Sequence, residues 1–194
     1  LLDSLGIESC IGVGYSLGGF TLEDLVRRRP ERISRAVLIA SAGASGAGRG
    51  TLSTAWHDAD HDFIARLGEI PASFTRLITL LTSLGGPDLV NSHLVADWWE
   101  LLGGQDDLWA SPHGEVGQAQ ACKSWTDRGG STALPWPHVP AAIVSFEFDP
   151  LFPPDEAAMV ASHLGDARVE VVPGTGHAGL FTQPSRRPNR PTVR

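Results

Sequence analysis

Apolar and polar positions divide the chain into strand-like ends and a helical middle. From Ile7 to Val13 β-branched residues mix with Cys10 and Gly12, then run into Gly14-Tyr15-Ser16-Leu17-Gly18-Gly19. That pattern predicts a short buried strand ending in a sharp turn. A helix is expected next, over Leu17 to Arg29: Leu22, Leu25 and Val26 share one face, Glu23 and Asp24 precede three arginines, and Pro30 stops it. Ala36 to Ala40 reads as a second buried strand.

Between about residue 45 and residue 134 strand-like runs vanish. Phe74, Leu77, Ile78 and Leu81 fall at i, i+3, i+4, i+7, with Gly85 as a stop, and Val90, Leu94, Trp98 and Leu101 mark another helix closed by Gly103. Trp56, Trp98, Trp99, Trp109 and Trp125 also fall here, so the region is read as a helical lobe inserted between two strands. They suit either the core of such a lobe or the wall of an apolar pocket. Strand character returns at Ala141 to Phe146, followed by a helix over Asp155 to Leu164 and a strand over Arg168 to Val172. Strands alternating with helices imply an α/β architecture with a parallel sheet, whose ligand sites lie beyond the carboxyl ends of the strands.

Three residues with complementary chemistry follow three of those strand ends. Ser16 stands in Gly14-Tyr15-Ser16-Leu17-Gly18, which fits G-x-S-x-G: a serine on a strand-to-helix turn, its hydroxyl exposed and its neighbours small. At a helix N-terminus the unpaired amides favour developing negative charge, which makes the Leu17 N–H a candidate oxyanion donor. A serine hydroxyl needs a base to take its proton. Among seven histidines, His177 alone sits in a glycine-rich loop directly after a strand. Such a base needs a carboxylate on its other nitrogen, and Asp149 is placed to supply it. A turn or helix-capping role before Pro150 is the alternative reading of Asp149, and Asp127 is the fallback acid.

These segments resemble the α/β-hydrolase fold superfamily, in its cap-containing esterase, peroxidase-like and related branches. Leu1 to Ile7 is similar to the helix leading into the nucleophile strand, Gly14 to Gly19 to the elbow, Val144 to Asp149 with Pro153 to the acid strand, and Pro173 to His177 to the histidine loop. The order Ser, Asp, His is also that of the family. The resemblance implies a partial α/β-hydrolase fold over residues 1–184, with its core in 1–44 and 135–184 and a helical cap lobe at about 45–134. Strands that family members usually carry before the elbow, with the loop that gives a second oxyanion donor, do not stand in residues 1–194; only a chain complete as given would leave a central strand edge unpaired. Residues 185–194 are basic, broken by prolines and without apolar period, and read as a disordered tail.

The implied activity is serine hydrolysis of a small or medium apolar ester or related acyl bond, through an acyl-enzyme and without a cofactor. Family members also cleave carbon-carbon bonds, dehalogenate or carry out perhydrolysis; dehalogenation normally places a carboxylate where Ser16 stands. The rival class is a non-catalytic truncated hydrolase or an interaction module that keeps the elbow.

The bulk composition adds only exclusions. A chain of 194 residues with 42% hydrophobic and 19% charged residues suits one globular domain, and a formal charge of −7 gives no basis for binding nucleic acid or an anionic membrane. A small-molecule substrate is the expected partner, and nothing bears on oligomeric state. Cys10 and Cys122 fit neither a disulfide framework nor a metal spacing, so a reducing cytoplasm is the expected compartment. No apolar run reaches the length of a membrane span. His57 and His61, with Asp58, Asp60 and Asp62 beside them, have the i, i+4 spacing of metal ligands, but a solvated acidic helix start explains the same residues. No metal site is expected.

Overall fold

A computed structural model describes residues 1–41, 66–103, 112–131, 135–165 and 167–184. Four strands, β1 (Cys10–Tyr15), β2 (Ile33–Ile39), β3 (Ala141–Phe146) and β4 (Arg168–Val172), form a sheet in the order β1-β2-β3-β4. Every neighbouring pair is parallel. Register pairs Tyr15 with Ile39, Ile39 with Val144 and Phe146 with Val172, so the carboxyl ends of the strands reach one edge.

Helix α1 (Leu17–Arg28) follows β1 directly, and between β2 and β3 come α2 (Ala72–Ser83), α3 (Gly86–Leu89), α4 (Ser92–Gly103) and α5 (Pro112–Asp127). After β3 come α6 (Pro154–His163) and, past β4, the single turn α7 (Gly179–Thr182). The main core joins α1 and α6 to one sheet face: Leu22 and Val26 meet Ala36 and Leu38 of β2, Ile143 of β3, and Val160 and Leu164. Removing these side chains from water supplies most of the drive to lay both helices there.

The structure corrects several element boundaries. Residues 7–9 precede β1, which runs two residues beyond Val13, and the strand is not buried: Ile11 and Val13 are 59% and 63% exposed. It is an edge strand of the described sheet, and α1 covers only its Gly12 and Gly14 side. Leu1 to Ile7 contains one 3-10 turn, Asp3–Leu5, ended by Gly6 at φ 65°. β2 starts at Ile33, earlier than the apolar run suggests, and Val90 lies outside α4.

In α2 the i, i+3, i+4, i+7 spacing marks the helix but not its buried face. Phe74, Leu77, Ile78 and Leu81 are exposed, whereas Leu80 and Leu84 pack with Leu102, Leu94, Val95 and Trp98 of the α4 region. The helix is apolar on more than one side, so periodicity alone cannot choose the packed one. The expected tail at 185–194 lies outside the described residues.

A buried polar knot ties α1 to the segment that returns to β3. Glu23 is fully buried; Ser131 Oγ donates to its Oε1 at 2.8 Å, and Arg27 Nη1 meets its Oε2 at 3.3 Å. Arg27 Nη2 also donates to the Ser131 carbonyl at 2.8 Å, while its guanidinium lies 5.3 Å from the Trp125 ring and 5.6 Å from that of Trp136. Burial pushes the Glu23 carboxyl from 4.5 up to about 7, against the opposing pull of Ser131 and Arg27.

A folded-state pKa above the unfolded one means that protonated Glu23 favours folding. Its contribution is fully present below about 4.5 and is lost as pH rises through about 7. Denaturant unfolding measured across that window should show stability falling with rising pH, and Glu23→Gln should remove this slope. An unchanged slope in the variant would assign the titration to another group.

Candidate active site

The turn between β1 and α1 fixes Ser16 in an unusual backbone state, φ 52° and ψ −127°. Positive φ is costly for a residue with a Cβ, so the surroundings must hold it. Ser16 N–H donates to the Ile39 carbonyl at 2.9 Å, and Gly19 N–H donates to the Ser16 carbonyl at 2.8 Å. Space for so tight a turn comes from particular glycines. A Cβ on Gly14 would lie 2.5 Å from the Gly18 carbonyl oxygen and 2.6 Å from Gly19 Cα, and one on Gly19 would overlap Ser41 Oγ. One on Gly18 would meet nothing within 4 Å. The glycines that permit the elbow are therefore Gly14 and Gly19, while Gly18, the last glycine of the sequence motif, is not sterically required.

Asp149 and His177 arrive from the neighbouring strand ends. His177 Nε2 lies 3.0 Å from Ser16 Oγ, and His177 Nδ1 lies 2.9 Å from Asp149 Oδ2. A carboxylate can only accept, so the Nδ1 proton donates to Asp149 and Nε2 is left as an acceptor for the serine hydroxyl. Asp149 and His177 are both buried, at 2% and 8% exposure, which keeps water from competing for these contacts.

Each oxygen of Asp149 has its own partners. Oδ1 accepts the Leu151 and Phe152 N–H groups at 2.8 and 3.0 Å, a turn-forming role, while Oδ2 faces the imidazole. The acid and histidine loops are also joined by backbone. Glu147 N–H donates to the Val172 carbonyl at 3.1 Å, Phe148 N–H to that of Thr175 at 2.8 Å, and Gly174 N–H to the Glu147 carboxylate at 2.7 Å.

Leu17 is the first residue of α1, where a backbone N–H has no acceptor within the helix. Asp127, the fallback acid, lies elsewhere: it ends α5 and pairs with Lys123 Nζ at 2.5 Å. The His57–His61 cluster, Trp56 and Trp109 lie outside the described residues.

Sequence reasoning passed over Tyr15. Its hydroxyl donates to the His177 carbonyl at 2.8 Å, and its ring sits 5.4 Å from the His177 ring and 5.6 Å, edge-on, from Phe181. Burial, with the Asp149 charge as a smaller cause, pushes its phenol well above the usual range, so it stays a donor. A strand-end aromatic carrying a hydroxyl beside the serine was the available signal. An aromatic series also leaves His177 on its other side: Phe152 lies 5.7 Å from the imidazole, Phe20 5.6 Å from Phe152, and Trp125 is stacked 5.7 Å from Phe20.

The model of the alpha/beta hydrolase fold family matches residues 1–184. Among curated proteins, the chain is 25% identical over 185 residues to the provisionally named non-heme bromoperoxidase BpoC of Mycobacterium tuberculosis, covering 95% of this chain and 67% of that one. A crystal structure of BpoC from that organism superposes with a TM-score of 0.77 at 23% identity, over 94% of this chain and 65% of the other. A thermophilic esterase from Thermogutta terrifontis has a TM-score of 0.70 at 19% identity, over 94% and 63%. The chain thus spans about two thirds of the length of these relatives.

The elbow contacts separate the glycines by consequence. Gly14→Ala and Gly19→Ala should each destabilise by about 1–3 kcal/mol or more, the range for overpacking a tight site. Gly18→Ala should leave thermal stability unchanged or raise it by up to about 1 kcal/mol, because alanine is the better helix former. Thermal unfolding of the three variants checks the ranking, and equal losses at all three would contradict it.

Proposed function

Because the chain belongs to the alpha/beta hydrolase fold family, we propose that it is a serine hydrolase acting on a small or medium apolar ester or related acyl bond. The observation that carries the proposal is the relay through one imidazole: His177 lies 3.0 Å from Ser16 Oγ and 2.9 Å from Asp149 Oδ2.

In this mechanism His177 Nε2 takes the Ser16 proton as Oγ bonds to the substrate carbonyl carbon. The carbonyl oxygen gains the negative charge and is met by the Leu17 N–H at the helix N-terminus. Asp149 holds the Nδ1–H tautomer and stabilises the imidazolium. The imidazolium returns its proton to the departing alcohol, leaving an acyl-Ser16 ester. Water, deprotonated by the same nitrogen, then attacks that ester, releases the acid and restores the hydroxyl. No step calls for a metal or cofactor.

The aromatic series Phe152, Phe20 and Trp125 beside His177 supports an apolar acyl or alcohol group. The helical segment between β2 and β3 is assigned as the cap over the site, since its α2 end meets the histidine loop through the Ser83 carbonyl and the Ala178 N–H at 2.7 Å.

A fluorophosphonate probe should label the folded protein once, at Ser16, and Ser16→Ala should abolish labelling. Asp149→Asn should slow labelling by about two to four orders of magnitude while the protein stays folded, as expected when the imidazole loses its orienting charge. Folded wild-type protein that resists the probe would overturn the assignment.

A further inference from the structure

The base of the relay stands in a loop built from Pro173, Gly174, Thr175 and Gly176, with Gly174 at φ 65°. Bonds to Glu147 and Phe148 hold the first part of this loop, as far as Thr175, but the His177 backbone lies beyond them, and a rotation there would swing the imidazole away from Ser16. The peptide plane joining His177 to Ala178 is gripped at both of its polar atoms. Its carbonyl accepts the Tyr15 hydroxyl at 2.8 Å, and its N–H donates to the Ser83 carbonyl at 2.7 Å.

The two grips come from different parts of the fold. Tyr15 is the last residue of β1 and the neighbour of Ser16, so one end is fixed to the element that carries the nucleophile. Ser83 ends α2, where the last carbonyls have no partner within the helix and take up an outside donor. Close approach on that side is possible because both backbones are bare: a Cβ on Gly176 would lie 2.6 Å from Gly85 Cα, and one on Gly85 would lie 2.7 Å from Gly176 N. The Tyr15 ring adds lateral contact with the imidazole and is itself backed by Phe181.

We propose that Tyr15 is a positioning residue for the base: through its hydroxyl it pins the 177–178 peptide plane to the nucleophile strand and thereby holds the imidazole at bonding distance from Ser16. This rests on the assignment of His177 as the base. Tyr15 donates no proton in the reaction and acts only through His177. Its hydroxyl remains protonated across the working range, so the grip persists at alkaline pH.

Tyr15→Phe removes the hydroxyl and keeps the ring. Fluorophosphonate labelling of the full chain should slow about 10-fold or more, since displacements below 1 Å at a reacting pair already carry such costs. A second readout needs no turnover: amide exchange at Ala178 should quicken and the His177 ring-proton resonance should shift, while unfolding midpoints stay close to wild type.

Wild-type labelling rates in Tyr15→Phe, with unaltered His177 and Ala178 signals, would overturn the positioning role and leave the hydrolase assignment standing. Absence of labelling already in the folded wild type, together with shifted His177 and Ala178 signals in Tyr15→Phe, would overturn the hydrolase assignment and leave the grip standing. Absence of labelling in the wild type, with those signals unaltered in Tyr15→Phe, would overturn both.

Discussion

The left-handed backbone at Ser16 is the constraint on which the rest of the site depends. A serine at φ 52° stores strain that β2 and α1 must hold in place, and they do so with the Ile39 carbonyl on one side and the Gly19 amide on the other. The result is a hydroxyl lifted clear of the sheet edge beside the first turn of a helix. A relaxed turn would turn the side chain away and give up the contact with His177. The neighbouring strand shows the same economy of space: Ala40 also has positive φ, and the buried Ser41 after it lies where a Cβ on Gly19 would be.

Around that elbow the polar groups form a closed circuit with divided duties. A buried carboxylate is costly unless its oxygens are satisfied, and Asp149 meets this condition with two amides on one oxygen and the imidazole on the other. The turn that supplies the amides also orients the oxygen that faces His177, so local folding and site geometry are the same event. Bonds from Glu147 and Phe148 to the Val172–Thr175 stretch keep the acid and histidine loops from separating.

Most of this was legible because it follows from period and order. Four strand-like runs, three of them followed by a chemically marked residue, are enough to gather Ser16, Asp149 and His177 on one edge of a parallel sheet. What escaped was anything set by tertiary contact. The exposed outer side of β1 depends on which strands lie beside it, and the packed face of α2 depends on where α4 sits; an apolar helix surface is silent on both. Tyr15 was hidden inside a motif position that tolerates any side chain, and the separate duties of Gly14, Gly18 and Gly19 need the shape of the turn. Glu23 looks like an ordinary acidic first-half residue of a helix, and its buried partnership with Ser131, beside an Arg27 flanked by two tryptophans, is set by tertiary contact.

Those tertiary contacts have a mechanical consequence for the helices between β2 and β3. Among the described residues polar groups join this segment to the core at Ser83, against the histidine loop, at Asp88, which accepts the Gln183 side-chain amide at 3.0 Å, and at Ser131, against Glu23 and Arg27 of α1. Apolar packing can slide at small cost, but a buried hydrogen bond that loses its partner leaves an unsatisfied group behind. Any shift of the helical segment therefore has to break these bonds or carry the 177–178 peptide, Gln183 or α1 with it, and α1 begins at the elbow. The segment is thus coupled to His177 through one attachment and to the Ser16 turn through another, so its packing bears on how well the two side chains are aligned.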